Sequence, residues 1–202
     1  MKQLPVPGII LAAGQSRRMG NTNKLLLKFH DKPLLLHVVD TALASKLSPL
    51  ILVVSQDIQD FLDNISLQHI KIIVNPTPDK GYASSLQAGL TLLPPSSTGA
   101  MFLLADQPLV TVQTINLLIS TFQKEPHSWV APLYKGQRGN PVIIPATWFH
   151  VIQALTGDRG PGIFFSNSKV QRRFVDVDDR GVVFDVDSPR DFTLLQTLSS
   201  KG

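Results

Sequence analysis

Cysteine is absent from this sequence of 202 residues. Its absence excludes disulfide bonds, zinc sites built on thiolates and cysteine nucleophiles. Aromatic residues make up only 7% of the chain, and the lysines and arginines are not interleaved with them. Because a nucleic-acid groove combines basic and aromatic side chains, we expect no nucleic-acid partner. The net charge of +4 fits either a generally basic surface or attraction of small anionic molecules.

Long hydrophobic runs are lacking as well. The apolar stretch nearest the N-terminus, residues 9–13, is too short for a signal peptide or a membrane span. The sequence therefore predicts a cytoplasmic protein with no membrane partner.

Short apolar runs alternate with patterns that repeat every three to four residues. The runs predict strands at residues 8–13, 50–55, 70–74 and 100–105. The patterns predict helices at residues 33–45, 57–64, 83–93 and 111–122. This alternation predicts an α/β fold with a mostly parallel sheet covered by helices on both faces.

The second half of the chain is less regular. Short apolar runs predict strands at residues 129–132, 142–144, 174–177 and 182–186, the last two flanking a turn at residues 179–181. Helices are predicted at residues 148–155 and 189–198, the latter with a serine cap and a proline in its first turn. No linker or repeat interrupts the sequence, so we expect one domain over residues 1–202.

The loop after the first strand, residues 11–20, is a candidate phosphate site. Small residues let its backbone approach a ligand, and Arg17, Arg18 and Lys24 add positive charge. A P-loop is excluded because Asn21 stands where its lysine would follow Gly20, and the dinucleotide fingerprint G-x-G-x-x-G is absent. A polar loop with incidental arginines is the alternative.

Asp106 follows the apolar run 100–105, where a carboxylate at a strand's end is placed to hold a metal ion. The alternative is a turn cap before the next helix. Ser84 and Ser85 precede an apolar helix, so one of them is expected to be its N-cap. Asp185 and Asp187 stand at a helix start, where acidic residues also suit the helix dipole.

Five segments, taken together and in this order, resemble the MobA-like NTP transferase superfamily. They are LAAGQSRRMG at 11–20, GYASSLQAG at 81–89, ADQP at 105–108, the pair QRGNPV at 137–142 and GDRG at 157–160, and DVDSPRD at 185–191. The sequence is most similar to the molybdenum cofactor cytidylyltransferase group, because Ala12 and Ala13 precede Gly14 where guanylyltransferases more often carry glycines. It departs from relatives at Asn140, where they often have histidine, and at Gly162, where they commonly have arginine.

The resemblance implies a Rossmann-like three-layer sandwich of the nucleotide-diphospho-sugar transferase type, with a mixed but mostly parallel sheet. It implies Mg²⁺-dependent transfer of CMP from CTP to molybdopterin cofactor, with an apo-molybdoenzyme or its chaperone as a further partner. The implied catalytic residues are Arg18, Lys24 and Asp106, and the implied metal ligands are Asp106 and Asp187. The implied nucleotide-binding residues are Leu11, Ala12, Ala13, Gly14, Ser16, Arg17, Arg18, Lys24, Ser84, Ser85 and Asp106. The implied acceptor-binding residues are Gln107, Gly139, Asn140, Pro141, Gly157, Asp158, Arg159 and Gly160. Alternatives are transfer to a sugar phosphate or methylerythritol phosphate, and a non-catalytic cofactor-binding protein serving a hydroxylase.

Overall fold

The structure is a computed structural model that describes residues 5–14, 23–160, 162, 165 and 169–199. Its strands are β1 (Val6–Ala12), β2 (Lys28–Phe29), β3 (Lys32–Pro33), β4 (Leu47–Val54), β5 (Ile70–Val74), β6 (Gly99–Leu104), β7 (Trp129–Tyr134), β8 (Gln137–Arg138), β9 (Val142–Pro145) and β10 (Arg172–Asp176). Its helices are α1 (Leu34–Leu43), α2 (Gln56–Leu62), α3 (Tyr82–Thr91), α4 (Val112–Lys124), α5 (Phe149–Gln153) and α6 (Pro189–Ser199). Within these described ranges, no helix combines the length and the apolar character that crossing a membrane requires.

One sheet organises the fold, in the strand order β10–β7–β9–β6–β1–β4–β5, with β8 paired to β7. Strands β5, β4, β1 and β6 are parallel neighbours, and β10 is parallel to β7. Among the described residues, the antiparallel pairings of this sheet are those that involve β8 and β9. The prediction of a mixed, mostly parallel sheet is confirmed.

The central strand β1 contributes to two separate cores because successive side chains of a strand point to opposite faces. Ile10 and Ala12 pack into a core covered by α1, α2 and α4. Ile9 and Leu11 pack into the other, covered by α3 and α5. Helices on both faces of the sheet give the predicted three layers.

A third, smaller cluster places the closing helix. Leu195 of α6 packs with Phe29 from β2, Leu34 from α1, and Phe184 and Val186 from the preceding segment. This packing brings residues 184–187 against the loop that follows β6, where the backbone N–H of Val186 donates to the carbonyl of Asp106 at 3.0 Å.

The strand predicted at residues 182–186 is wrong. Val182, Phe184 and Val186 are buried in the alternation that suggested a strand, but residues 180–183 form a 3₁₀ turn. The reason is that this backbone finds other partners. The carbonyl of Val182 accepts from the N–H of Asn140 at 2.8 Å, and the N–H of Phe184 donates to Gly181 within the 3₁₀ turn. With those partners satisfied, no ladder to β10 forms.

Candidate active site

The candidate site lies where the strand order reverses. Strands β4 and β5 lie on one side of β1 and β6 lies on the other, and ligands of open α/β sheets bind outside the carboxyl ends of the strands at such a point. A cavity of about 720 Å³ opens there, lined in part by Leu11, Ala13 and Gly14. Ala12 does not line the cavity, because its side chain is buried in the core on the opposite face of the sheet.

Lys24 lines this cavity and lies between two carboxylates. Its Nζ donates to Asp106 Oδ2 and to Asp187 Oδ1, at 2.6 Å in each case. Three parts of the chain supply these groups: a 3₁₀ turn over residues 24–26, the end of β6, and the start of α6. The turn is fixed by Asn23, whose side-chain oxygen accepts from the N–H of Leu25.

The two carboxylates keep Lys24 charged. Burial alone would lower the pKa of this lysine, but the charges and hydrogen bonds of Asp106 and Asp187 outweigh burial and raise it above its ordinary value. The second oxygen of Asp106, Oδ1, is buried and accepts no hydrogen bond within the described part of the chain. A buried carboxylate oxygen without a donor is costly unless a cation reaches it.

The charge of the cavity fits a divalent cation. Four carboxylates line it, those of Asp79, Asp106, Asp158 and Asp187. Lys24 is the only lysine or arginine among the described lining residues. These four carboxylates, among the described lining residues, would repel a triphosphate unless a metal ion came with it. Among the described residues no cluster of three potential metal ligands occurs, but Mg²⁺ commonly takes one or two carboxylates together with phosphate oxygens. Asp106 and Asp187 fit that role.

Asp185, the alternative second ligand, faces a different partner. Its Oδ1 accepts from Gln107 Nε2 at 2.5 Å, and Asp185 is not among the residues that line the cavity. Burial raises the pKa of Asp185, and the negative charge of Asp106 raises it further. The geometry therefore favours Asp187. Gln107, predicted to bind the acceptor, is only 2% exposed and lines neither cavity described here.

The prediction that Ser84 or Ser85 caps α3 is wrong, because the helix begins at Tyr82 and Gly81 is its N-cap. Both serine hydroxyls instead accept from Nδ2 of the buried Asn75, at 2.8 and 3.1 Å. Ser85 lines the large cavity, and Ser84 does not. Asn75, which no sequence motif indicated, thus fixes the orientation of this part of α3.

The predicted acceptor loop at residues 157–160 caps the start of α3. The N–H of Tyr82 donates to Asp158 Oδ1 at 3.2 Å, and the N–H of Ala83 donates to the carbonyl of Gly157 at 3.0 Å. Gly81 allows this approach: its φ is +84°, and a Cβ there would lie 2.6 Å from Asp158 Oδ1. Arg159 is exposed and lines neither cavity.

A second cavity of about 170 Å³ adjoins the first, and Tyr82 and Leu104 line both. Of the predicted acceptor residues, Asn140 and Gly160 line it. Gly139 serves packing, since a Cβ there would lie 2.2 Å from the carbonyl oxygen of Val182.

Other predicted residues lie away from the cavities or beyond the described chain. Pro141 joins Asn140 by a cis peptide bond and lines neither cavity. Ser16, Arg17 and Arg18 lie outside the described residues. Tyr82 and Arg138 also line the second cavity and are not among the predicted site residues, although both lie within segments that carried the resemblance.

The fold and site define a class of protein: a nucleotidyltransferase that uses the reversal point of an open α/β sheet. The chain belongs to the MobA-like NTP transferase domain family, whose model matches residues 8–173. The family predicted from the five segments is thereby confirmed.

Known proteins similar to this chain differ in what their names say they do. Purine catabolism protein PucB of Bacillus subtilis is 26% identical over 208 residues, covering 96% of this chain and 97% of PucB. A molybdenum cofactor guanylyltransferase of Aliivibrio salmonicida is 30% identical over 135 residues, covering 67% of this chain and 65% of that protein. The solved structure of Rv0371C from Mycobacterium tuberculosis in complex with manganese superimposes with a TM-score of 0.80 at 24% identity, covering 96% of this chain and 99% of that one.

Proposed function

We propose that this protein transfers CMP from CTP to the terminal phosphate of molybdopterin cofactor and releases pyrophosphate. The observation that carries the proposal is the group formed by Lys24, Asp106 and Asp187 at the reversal point of a MobA-like sheet. The molybdenum cofactor guanylyltransferase among the relatives supports this acceptor. Support for CTP comes from Ala12 and Ala13 in the first loop.

Asp106 and Asp187 would hold Mg²⁺. The buried, unpartnered oxygen of Asp106 supports this assignment, and so does the manganese bound by a structural relative. When bound, the ion supplies positive charge that neutralises the triphosphate and stabilises the leaving pyrophosphate.

The chain's own groups position the reactants. An oxygen of the acceptor phosphate forms a bond to the α-phosphorus of CTP as the bond between the α-phosphorus and the bridging oxygen to the β-phosphate breaks. The acceptor phosphate is already ionised, so the reaction needs no general base. Lys24, and with it Arg18, would hold the β- and γ-phosphates, while Leu11, Ala13, Gly14 and Ser85 border the space for the nucleoside.

The test compares Asp106→Ala with Asp79→Asn, which changes a second carboxylate of the same cavity that has no contact with Lys24 among the described bonds. Pyrophosphate release would be measured with CTP, GTP and ATP, each combined with molybdopterin cofactor or a sugar phosphate. We expect turnover with CTP and molybdopterin cofactor, a loss of at least a hundred-fold in Asp106→Ala, and little change in Asp79→Asn.

Each contrary result points to one alternative. Turnover with a sugar phosphate but not with molybdopterin cofactor would show that the proposed acceptor is wrong. A preference for GTP would show that the proposed base is wrong. Tight binding of the cofactor without any pyrophosphate release would favour a non-catalytic protein that hands the cofactor to an apo-molybdoenzyme or its chaperone.

A further inference from the structure

The smaller cavity differs from the larger one in charge. All of the carboxylates that line the pair belong to the larger cavity, among the described residues. The apolar residues that line the smaller cavity include Phe102 and Val142. Arg138 is the only charged residue among its described lining residues. Two adjoining spaces of opposite charge therefore meet at Tyr82 and Leu104.

Arg138 is held in place without a carboxylate. Its guanidinium carbon lies 4.5 Å from the ring centroid of Phe165, a cation–π distance. Its Nη2 approaches Gly162 so closely that a Cβ at residue 162 would lie 3.1 Å away. No hydrogen bond or ion pair joins Arg138 to a carboxylate of the described chain, in contrast to Arg173, which pairs with Glu125 at 2.6 Å.

Arg138 keeps part of its surface in solvent and has no carboxylate partner among the described residues. Partial burial lowers the pKa of Arg138, and no neighbouring carboxylate opposes that effect. An arginine nevertheless stays charged, and its planar fork of N–H donors matches the oxygens of a phosphate. An anion in the smaller cavity would satisfy these donors.

The size of the cavity limits what can enter. At about 170 Å³ it falls below the range of roughly 300–1,000 Å³ typical of pockets that hold a whole small molecule. It has room for one functional group of a molecule that extends into the larger cavity beside it.

We infer that Arg138 binds the phosphate group of the acceptor in the smaller cavity and orients it towards the donor cavity. The inference rests on the proposed function and deepens it, because it names the residue that recognises the acceptor. Arg159, which the motif resemblance indicated for the acceptor, has no such position, since it lines neither cavity.

The first test is binding of inorganic phosphate, measured by calorimetry on the metal-free protein. The variants are Arg138→Gln and Arg138→Lys. The matched control is Arg180→Gln, because the guanidinium of Arg180 also lies near a ring, 5.7 Å from that of Phe184, but lines neither cavity. We expect phosphate affinity to fall about ten-fold or more in Arg138→Gln, to fall less in Arg138→Lys, and to stay unchanged in the control.

The second test is steady-state kinetics. The KM for molybdopterin cofactor should rise about ten-fold or more in Arg138→Gln, whereas the KM for CTP should stay within two-fold. A merely structural role of Arg138 would change both constants and the unfolding midpoint.

The outcomes separate the two proposals. Phosphate binding that is equal in wild type and Arg138→Gln, or absent from both, would overturn the role of Arg138. Phosphate binding that depends on Arg138 in a protein that never turns over would uphold the anion site and reject the proposed reaction.

Discussion

Lys24 occupies the space between the two carboxylates that would hold the metal ion. A divalent cation and the ammonium group of Lys24 would compete for the same oxygens, because Nζ lies 2.6 Å from both Asp106 and Asp187. Replacing Lys24 with methionine, which has a similar length and no charge, should therefore raise the affinity for Mn²⁺ in the absence of nucleotide.

The size of the effect follows from the exposure of the two ion pairs. In the first pair only 14% of the Lys24 side chain and 21% of Asp106 are exposed, so this charged hydrogen bond contributes about 1–2 kcal/mol. In the second pair Asp187 is 45% exposed, and screening by solvent limits that contact to about 0.5 kcal/mol. The sum, roughly 1.5–2.5 kcal/mol, corresponds to a gain of roughly ten- to sixty-fold in Mn²⁺ affinity.

The assay is a titration of Mn²⁺ followed by electron paramagnetic resonance, in which the signal of the free ion disappears on binding. The matched control is Lys32→Met, which removes the same charge from an exposed ion pair with Asp40. A gain in both variants would reflect net charge alone. No gain in Lys24→Met over this control, or a gain that persists when Asp106→Ala is added, would refute the competition at these carboxylates.

Two further predictions concern the elements that support the site. Asp179→Ala should lower the free energy of unfolding by roughly 3 kcal/mol, because the buried carboxylate accepts hydrogen bonds that join the start of α4 to the turn before Phe184. The control is Asp178→Ala, which changes an exposed neighbour. Equal denaturation midpoints of the two variants would contradict the prediction. Hydrogen bonds from Ser188 lower the pKa of Asp191. The ionised carboxylate of Asp191 therefore stabilises the fold at any pH above the ordinary aspartate pKa of about 4, and this stabilisation is lost as the pH falls through the lowered pKa. Thermal unfolding from pH 6 to pH 2 should show a smaller loss of stability in Asp191→Asn than in wild type, and parallel curves would argue against it.

The central fold could be predicted because its signals are local. Runs of apolar residues marked β1, β5 and β6, and the helical patterns marked α1 and α4 to within a few residues. The segment at residues 182–186 shows where such reasoning fails. Its alternation of buried side chains is real, but two partners of its backbone, Asn140 and Asp106, lie in loops distant in sequence, and no local pattern encodes them.

The candidate site was predictable in part for a similar reason. Asp106 and Lys24 stand in segments whose composition suggests their chemistry. The roles of Asn75 and Arg138 depend on contacts between elements that are separate in sequence. Asn75 contacts α3, and Arg138 contacts residues 162 and 165. The ion pairs of Lys24 were also unforeseen, because 82 and 163 positions separate it from its partners.

The position of Lys24 also couples the two ligands of the proposed reaction. A triphosphate that attracts the ammonium group away from Asp106 and Asp187 removes a competitor of the metal ion at both carboxylates. By thermodynamic linkage, a nucleotide that raises the affinity for the metal must have its own affinity raised by the metal by the same factor. In Lys24→Met no ammonium group competes for Asp106 and Asp187, so this mutual enhancement should shrink towards the direct attraction between metal and phosphate. The lysine thus disfavours a metal ion bound alone and favours the metal–nucleotide complex that the reaction requires.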